Sequence, residues 1–211
     1  MKPMSEIRNL LFDMGGVIVD LDRDRCLQAL LNIGLEDADN LIGLYIQDGV
    51  FADLEAGRVT ADEFRAQVHK DLPPNVTDQE IDEAFSSFIV GIPRHRLESL
   101  RQLRRRYGVY LLSNTNPIMY EGVLAELFKQ EGMTIDDYFD GITVSYKAGC
   151  SKPYRPIFDY AVQTMGIVPG ETLFLDDGPE NIEAARKLGF HAALVPPGEE
   201  FAQVISSVLC R

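Results

Sequence analysis

The stretch LLFDMGGVIVD, residues 10–20, decides the reading of the chain. Leu10, Leu11 and Phe12 run into Asp13, Gly15 and Gly16 follow, and a second apolar run ends at Asp20. A short apolar run that stops at glycines reads as a buried strand leading into a turn. The strand therefore delivers one carboxylate, Asp13, to a turn loosened by glycine. Gly15, two places later, offers that turn no side chain at all.

Beyond the turn, residues 22–90 carry helical patterning. DRDRCLQALLNIG starts with an acidic cap signal and stops at Gly34, and LEDADNLIGLYIQDG predicts a helix ending at Gly49. TADEFRAQVHKDL opens as a capping box, Thr60 with Glu63, and halts before Pro73-Pro74. TDQEIDEAFSSFIV predicts another amphipathic helix from near Thr77. After Pro93 the elements alternate. PRHRLESLRQLRRRYG, PIMYEGVLAELFKQEG, KPYRPIFDYAVQTMG, PENIEAARKLG and EEFAQVISSVLC read as helices, while VYLLSN, GITVS, TLFLDD and HAALV read as strands. This alternation predicts an α/β fold, a doubly wound parallel sheet with helices on both faces. The first strand joins that sheet. Residues 1–19 and 93–211 are then expected to form a Rossmann-like core, with residues 20–92 as a helical insert.

Composition narrows the partners. Twenty Lys and Arg against 33 Asp and Glu give a net charge of −13 over 211 residues, and the sequence pI is near 4.6. Such a surface repels phosphate backbones and anionic membranes, which argues against nucleic acid or membrane partners. A small anionic substrate would be repelled too, so its site must create a positive field locally. Cys26, Cys150 and Cys210 lie far apart with no CxxC pair, as reduced thiols do. MKPMSEIRNL lacks an apolar signal core and no segment is long enough to span a bilayer, so a cytoplasmic location is expected. A monomer or weak homo-oligomer is expected.

Four polar clusters fall just beyond the C-terminal ends of four predicted strands: Asp13, Ser113-Asn114, Lys152 and Asp176-Asp177. Open parallel sheets bind ligands along that edge, so these clusters are expected to converge. A positioned aspartate can take a phosphoryl group as an acyl phosphate. Mg2+ held by Asp13 and Asp177 would keep both carboxylates ionised and draw in phosphate oxygens. Lys152 supplies a compact positive charge, and the Ser113 hydroxyl with nearby backbone N–H groups can cradle the equatorial oxygens.

FDMGGVIVD, LLSNTN, SKP and FLDDGPENIEAARKLG together resemble the four ordered motifs of the haloacid dehalogenase superfamily, from about residue 7 to the end of the chain. Four motifs in order are far more specific than any one of them. The pattern is closest to the small sugar-phosphate phosphatases, including the glucose-1-phosphatase-like group, and is similar to the phosphatase domain of soluble epoxide hydrolases. The resemblance implies a helical cap between the first and second motifs. It implies a Mg2+-dependent phosphatase acting on a small phosphorylated metabolite, sugar phosphates first. Asp13 matches the nucleophile and first metal ligand, and Gly15 the position whose backbone carbonyl ligates Mg2+. Ser113 and Asn114 match the phosphate-binding motif, and Lys152 the lysine that orders nucleophile and phosphate. Asp177 matches the metal-bound carboxylate with Asp176 as its neighbour, and Asn181, one helical turn on, is expected to support them from behind.

The departure is at Gly15, where most phosphatases of the superfamily carry an aspartate as general acid. Without it, esters with good leaving groups, such as sugar 1-phosphates, are expected to be favoured. Asp20 and Asp22 are candidate substitute acids, with helix capping the more natural work for Asp22. Dehalogenases also lack that aspartate, so a 2-haloacid dehalogenase in which Asp13 attacks carbon without a metal is the rival enzyme. They usually carry an aromatic residue before the glycine, where this chain has Met14. A catalytically weak binding protein of the same fold is the rival from another class. The run Arg94, Arg96, Arg101, Arg104, Arg105 and Arg106 reads as a solvated helix face. His69, His95 and His191 have no ligand spacing and are expected in surface or packing roles. Tyr45, Phe51, Phe64, Phe85 and Phe88 are expected in the core of the insert, with Tyr45 and Phe51 best placed to reach the site.

Overall fold

The fold is that of a computed structural model, which describes residues 7–43 and 49–209. The chain opens on β1 (Asn9–Phe12), turns, and makes the two-residue β2 (Asp20–Leu21). Helices α1 (Arg23–Asn32), α2 (Ala38–Leu41), α3 (Gly49–Glu55), α4 (Ala61–Val68) and α5 (Asp78–Ser86) follow. β3 (Ile89–Gly91) pairs antiparallel with β2 and closes this excursion. Next come α6 (Arg94–Leu103), β4 (Gly108–Ser113), α7 (Ala125–Phe128), β5 (Gly141–Val144) and α8 (Ser145–Ala148). The chain ends with α9 (Arg155–Met165), β6 (Thr172–Asp176), α10 (Pro179–Lys187), β7 (His191–Leu194) and α11 (Phe201–Leu209).

The main sheet is parallel, in the order β5-β4-β1-β6-β7. β1 is central because its residues are apolar on both faces. Leu10 and Phe12 face one side with Val109, Leu111, Leu173 and Leu175, while Leu11 faces the other with Leu112 and Phe174. Alternation along each strand therefore feeds two separate layers of helices. The chain winds outward through β4 and β5, then returns to the other side of β1 for β6 and β7. That reversal opens a crevice at the C-terminal end of β1.

The helical excursion has local causes. The Asp22 side chain caps α1 by accepting from Arg25 N at 2.9 Å. Thr60 with Glu63 and Thr77 with Glu80 form capping boxes at α4 and α5. Phe51, Phe64 and Phe85 meet with ring centroids 4.8–5.4 Å apart, each pair adding about 0.5–1.5 kcal/mol beyond its buried area. Phe51 is thus wholly buried among rings and does not reach the site as expected. Tyr45 lies outside the described residues.

Other expectations are corrected here. LEDADNLIGLYIQDG does not form one helix: α2 stops where Ile42 turns extended, and α3 begins at Gly49. PIMYEGVLAELFKQEG breaks at Gly122 into a π-helical stretch, Met119–Leu124, followed by α7. Arg96 is no part of a solvated face. It is buried, and its guanidinium donates to the Ile18 carbonyl at 3.2 Å, to Asp20 Oδ1 at 2.7 Å and to Glu200 at 3.0 and 3.1 Å. The histidines do take surface and packing roles, His69 beside Asp78, His95 beside Glu200 and His191 against the Gly170 carbonyl. Among the described residues no helix is long and apolar enough to cross a membrane.

Arg96 therefore ties the first turn to the start of α11, and its removal orphans the buried Ile18 carbonyl and the Asp20 carboxylate and leaves Glu200 with His95 alone. Because Asp20 and Glu200 keep partial access to water, Arg96→Ala is expected to cost about 2–3 kcal/mol rather than the full price of a buried charge. Arg94→Ala, at an exposed neighbour, should stay within about 0.5 kcal/mol. Equilibrium urea denaturation of both variants checks this, and equal effects would contradict it.

Candidate active site

Three adjacent strand ends place the predicted residues side by side. Asp13 follows β1, and its backbone N–H donates to the Leu175 carbonyl of β6 at 2.8 Å. Ser113 ends β4 and Asp176 ends β6, the two strands that flank β1. Lys152 enters from the loop beyond α8, almost fully buried, with Nζ 2.7 Å from Asp13 Oδ1 and 2.7 Å from Asp176 Oδ2. One ammonium thus bridges two carboxylates across the sheet.

Each part of this bridge is held from behind. Asp176 Oδ1 accepts from Gly178 N at 2.8 Å and Asn181 Nδ2 at 2.9 Å. Asn181 thus supports the pair from behind through Asp176. The Asn114 side chain clamps the lysine's backbone, Nδ2 donating to the Lys152 carbonyl at 3.0 Å and Oδ1 accepting from Lys152 N at 2.8 Å. Its amide is therefore committed to positioning Lys152, a use the phosphate-binding expectation did not include. Ser145 Oγ accepts from Thr115 N and donates to the Thr115 carbonyl, both at 2.9 Å, which pins the loop after β4. Sequence reading passed over this buried serine, because a lone Ser after a strand carries no signal.

Asp176 is wholly committed, and the hydrogen bonds and ion pair that Asp13 receives fall on Oδ1, from Met14 N at 2.7 Å and Lys152. Asp177 stands on the other side of the crevice, packed on the glycine turn. A Cβ on Gly16 would lie 2.1 Å from Asp177 Oδ2, and Gly16 also has φ +69°, so this position requires glycine. At Gly15 a Cβ would meet only the flexible end of Leu21, at 2.8 Å, so a side chain there demands that Leu21 move. Carboxylate oxygens of Asp13, Asp176 and Asp177 all lie within 4.8 Å of one another.

The electrostatics follow from that crowding. Burial pushes the Asp13 carboxyl well above the usual carboxylate range, Lys152 pulls it down, and Asp176 and Asp177 push it up again. Burial likewise raises Asp177, with help from Asp176, to about 6. Lys152 loses by burial but stays protonated, because Asp13 and Asp176 both favour its charge. Two carboxylates strained against each other and left with free oxygens are the donor set a hard divalent cation requires.

Two cavities meet over these residues. A small one of ≈60 Å³ touches Gly15, Ser113 and Asn114 and is walled by Phe85, Phe88 and Glu55. A larger one of ≈440 Å³ touches Lys152, Ser151 and Asn114 and shares Glu55. Sequence reading missed Glu55; its only signal was a carboxylate four residues after Phe51, on the apolar face of its helix. The substitute acids named from sequence are engaged elsewhere, Asp20 with Arg96 and Asp22 as the α1 cap.

A family model of haloacid dehalogenase-like hydrolases matches residues 7–189. A D-ribitol-5-phosphate phosphatase of Bacteroides thetaiotaomicron is 39% identical over 203 residues, covering 96% of this chain and 98% of the relative. A HAD family enzyme of the same organism, crystallised with magnesium and inorganic phosphate, superposes with a TM-score of 0.88 at 38% identity, covering 93% of this chain and 98% of that one. A predicted HAD-like hydrolase of Porphyromonas gingivalis superposes with a TM-score of 0.90 at 34% identity, covering 98% and 100%. With the motif residues gathered at one sheet edge and the match spanning most of its length, the chain belongs to the haloacid dehalogenase-like hydrolases.

Proposed function

We propose that the chain is a Mg2+-dependent phosphatase acting on a small phosphorylated metabolite, a sugar or sugar-alcohol phosphate, through a phosphoryl group carried on Asp13. The observation that carries this reading is Lys152 set 2.7 Å from both Asp13 and Asp176, with the free carboxylate of Asp177 beside them. The related phosphatase acts on ribitol 5-phosphate, and a related enzyme crystallised with magnesium and phosphate. Both support the reading.

In this reading Asp13 and Asp177 hold the cation with the Gly15 carbonyl, and Asp176 serves as the anchor of Lys152 rather than as a ligand. The cation, when bound, neutralises the carboxylates and offsets the charge of the substrate's phosphate. Asp13 Oδ1 is fixed by Met14 N and Lys152, which leaves Oδ2 to attack phosphorus. Lys152 and the Ser113 hydroxyl stabilise the negative charge that spreads over the equatorial oxygens. Residues 20–92 act as the cap over the core of 1–19 and 93–211, contributing Phe85, Phe88 and Glu55 to the cavity wall. Two carboxylates with oxygens to spare support this over a dehalogenase, which needs only one and no cation. The buried Cys26 and unpaired Cys150 agree with a cytoplasmic location, and the acidic surface with small-molecule rather than nucleic-acid partners.

Asp13→Asn preserves shape and removes the attacking charge. Phosphate release should fall by about 10⁴-fold or more, and beryllofluoride should no longer be trapped, while circular dichroism stays native. Substantial residual turnover would remove the covalent step.

The assignment of Asp177 over Asp176 is separable by metal titration. Asp177→Ala should raise the Mg2+ concentration needed for half-maximal rate by about tenfold or more. Asp176→Ala should lower kcat through a loosened Lys152 with a smaller shift in that concentration. The reverse ranking would exchange the two roles.

A further inference from the structure

Gly15 removes the side chain from which this family's leaving groups usually take a proton, and the first-turn aspartates are committed to Arg96 and to a helix cap. Yet a polyol phosphate releases an ordinary alkoxide, which leaves poorly unless protonated. Some other group near the crevice must supply that proton.

Among the described residues one carboxylate meets the need. Glu55 ends α3, half-buried, and lines both cavities that open on Asp13's turn and on Lys152. It has no hydrogen-bond or ion-pair partner among the described residues, although it sits among the apolar walls formed by Phe85, Phe88 and Leu21. An acidic side chain so placed without a partner is costly to the fold. Its position is also fixed. Gly57, two residues on, has φ +66°, and a Cβ there would lie 2.2 Å from the Tyr146 carbonyl of α8, so the turn after Glu55 is pressed directly onto the core. Arg58 N donates to the Asp53 carbonyl at 2.8 Å and its guanidinium pairs with the Asp53 carboxylate at 2.6 Å, closing the same turn.

On the phosphatase reading above, we propose that Glu55 is the general acid and base of the reaction, delivered from the insert to the cavity that Gly15 lines without a side chain. As Asp13 attacks phosphorus, the bond from phosphorus to the ester oxygen breaks and the Glu55 carboxylic acid gives its proton to that oxygen. In the second step the Glu55 carboxylate takes a proton from water as the water oxygen attacks phosphorus and Asp13 departs. The proton returns to Glu55 and the cycle closes. Burial raises the Glu55 carboxyl to about 7 against Lys152, which lowers it, so both protonation states are available near neutrality. The other charged groups around α3 are spoken for. Arg58 pairs with Asp53 on the same turn, and Lys147 of α8 lies over the rings of Tyr120 and Tyr146. With an acid overhead, esters of ordinary alcohols come within reach, and the preference for sugar 1-phosphates expected from Gly15 alone loses its reason.

The test compares wild type and Glu55→Gln, with Mg2+, on ribitol 5-phosphate and 4-nitrophenyl phosphate. The nitrophenolate leaves unaided, so its hydrolysis reports that the site is folded and that Asp13 works. In kcat/KM, which reports the first displacement, the variant should lose about 10²-fold or more on the alkyl ester and less than about tenfold on the aryl ester, while loss of the second-step base lowers kcat for both. It should also lose the decline in alkyl-ester rate above neutral pH. Equal losses in kcat/KM on both esters, or a raised KM with kcat unchanged, would overturn the acid–base role and leave Glu55 as a structural or substrate-binding residue. No phosphate release from either ester by wild type would overturn the phosphatase reading itself, and the role of Glu55 with it. Stability gives a readout independent of turnover. The native state holds the Glu55 proton to about 7 and the unfolded state only to about 4.5, so wild-type stability should fall relative to the variant as pH rises between them. A difference independent of pH would contradict the raised carboxyl.

Discussion

One ammonium shared by two carboxylates organises this protein. Lys152 is buried almost completely, and taking an ammonium out of water costs several kcal/mol unless partners replace the lost hydration. Asp13 and Asp176 do so at 2.7 Å each, which is possible only because β1 and β6 are neighbours in parallel register. The supports follow from that requirement. Asn114 holds the lysine's backbone, Asn181 and Gly178 hold Asp176, and Met14 holds Asp13. Asp177 makes a third carboxylate against a single ammonium, so the crevice carries surplus negative charge until a cation enters. That imbalance links fold to chemistry, because a site this acidic can receive a phosphate ester only when metal and lysine act together.

The insert solves a different problem. Phe51, Phe64 and Phe85 pack it together within the same continuous core as Leu10 and Phe12, while Gly57 against the Tyr146 carbonyl of α8 and the β2–β3 pair hold it to the rest of the chain. Arg96 performs the matching task on the other side, joining the first turn to α11. The walls of the cavities thus come from both parts of the chain, with charge supplied from the sheet edge and apolar surface from the insert. Glu55 is the exception that carries charge across.

Much of this was legible in the sequence, for definite reasons. Apolar runs ending in Asp13, Ser113 and Asp176 announce strands whose last residues face the crevice, and alternation after Pro93 announces the parallel sheet. Capping chemistry announced α4 and α5. What stayed hidden depended on tertiary contact. Arg96 looks like its exposed neighbours until the Ile18 carbonyl and Glu200 are brought to it. The hold of Asn114 on the Lys152 backbone is invisible until that loop lies against it. β2 and β3 are two and three residues long, too short for any periodicity, and LEDADNLIGLYIQDG has helical spacing that Ile42 breaks locally. Glu55 reads as an ordinary helix-end acid, since nothing local says which face is covered.

On the proposed function, phosphate passes through Asp13 in two displacements. The most direct measurement is the steric course at phosphorus, using an isotopically chiral phosphorothioate ester hydrolysed in labelled water. Two in-line displacements, the first by Asp13 and the second by water, give net retention of configuration. Inversion would mean that water attacks phosphorus directly, and would contradict Asp13 as the nucleophile.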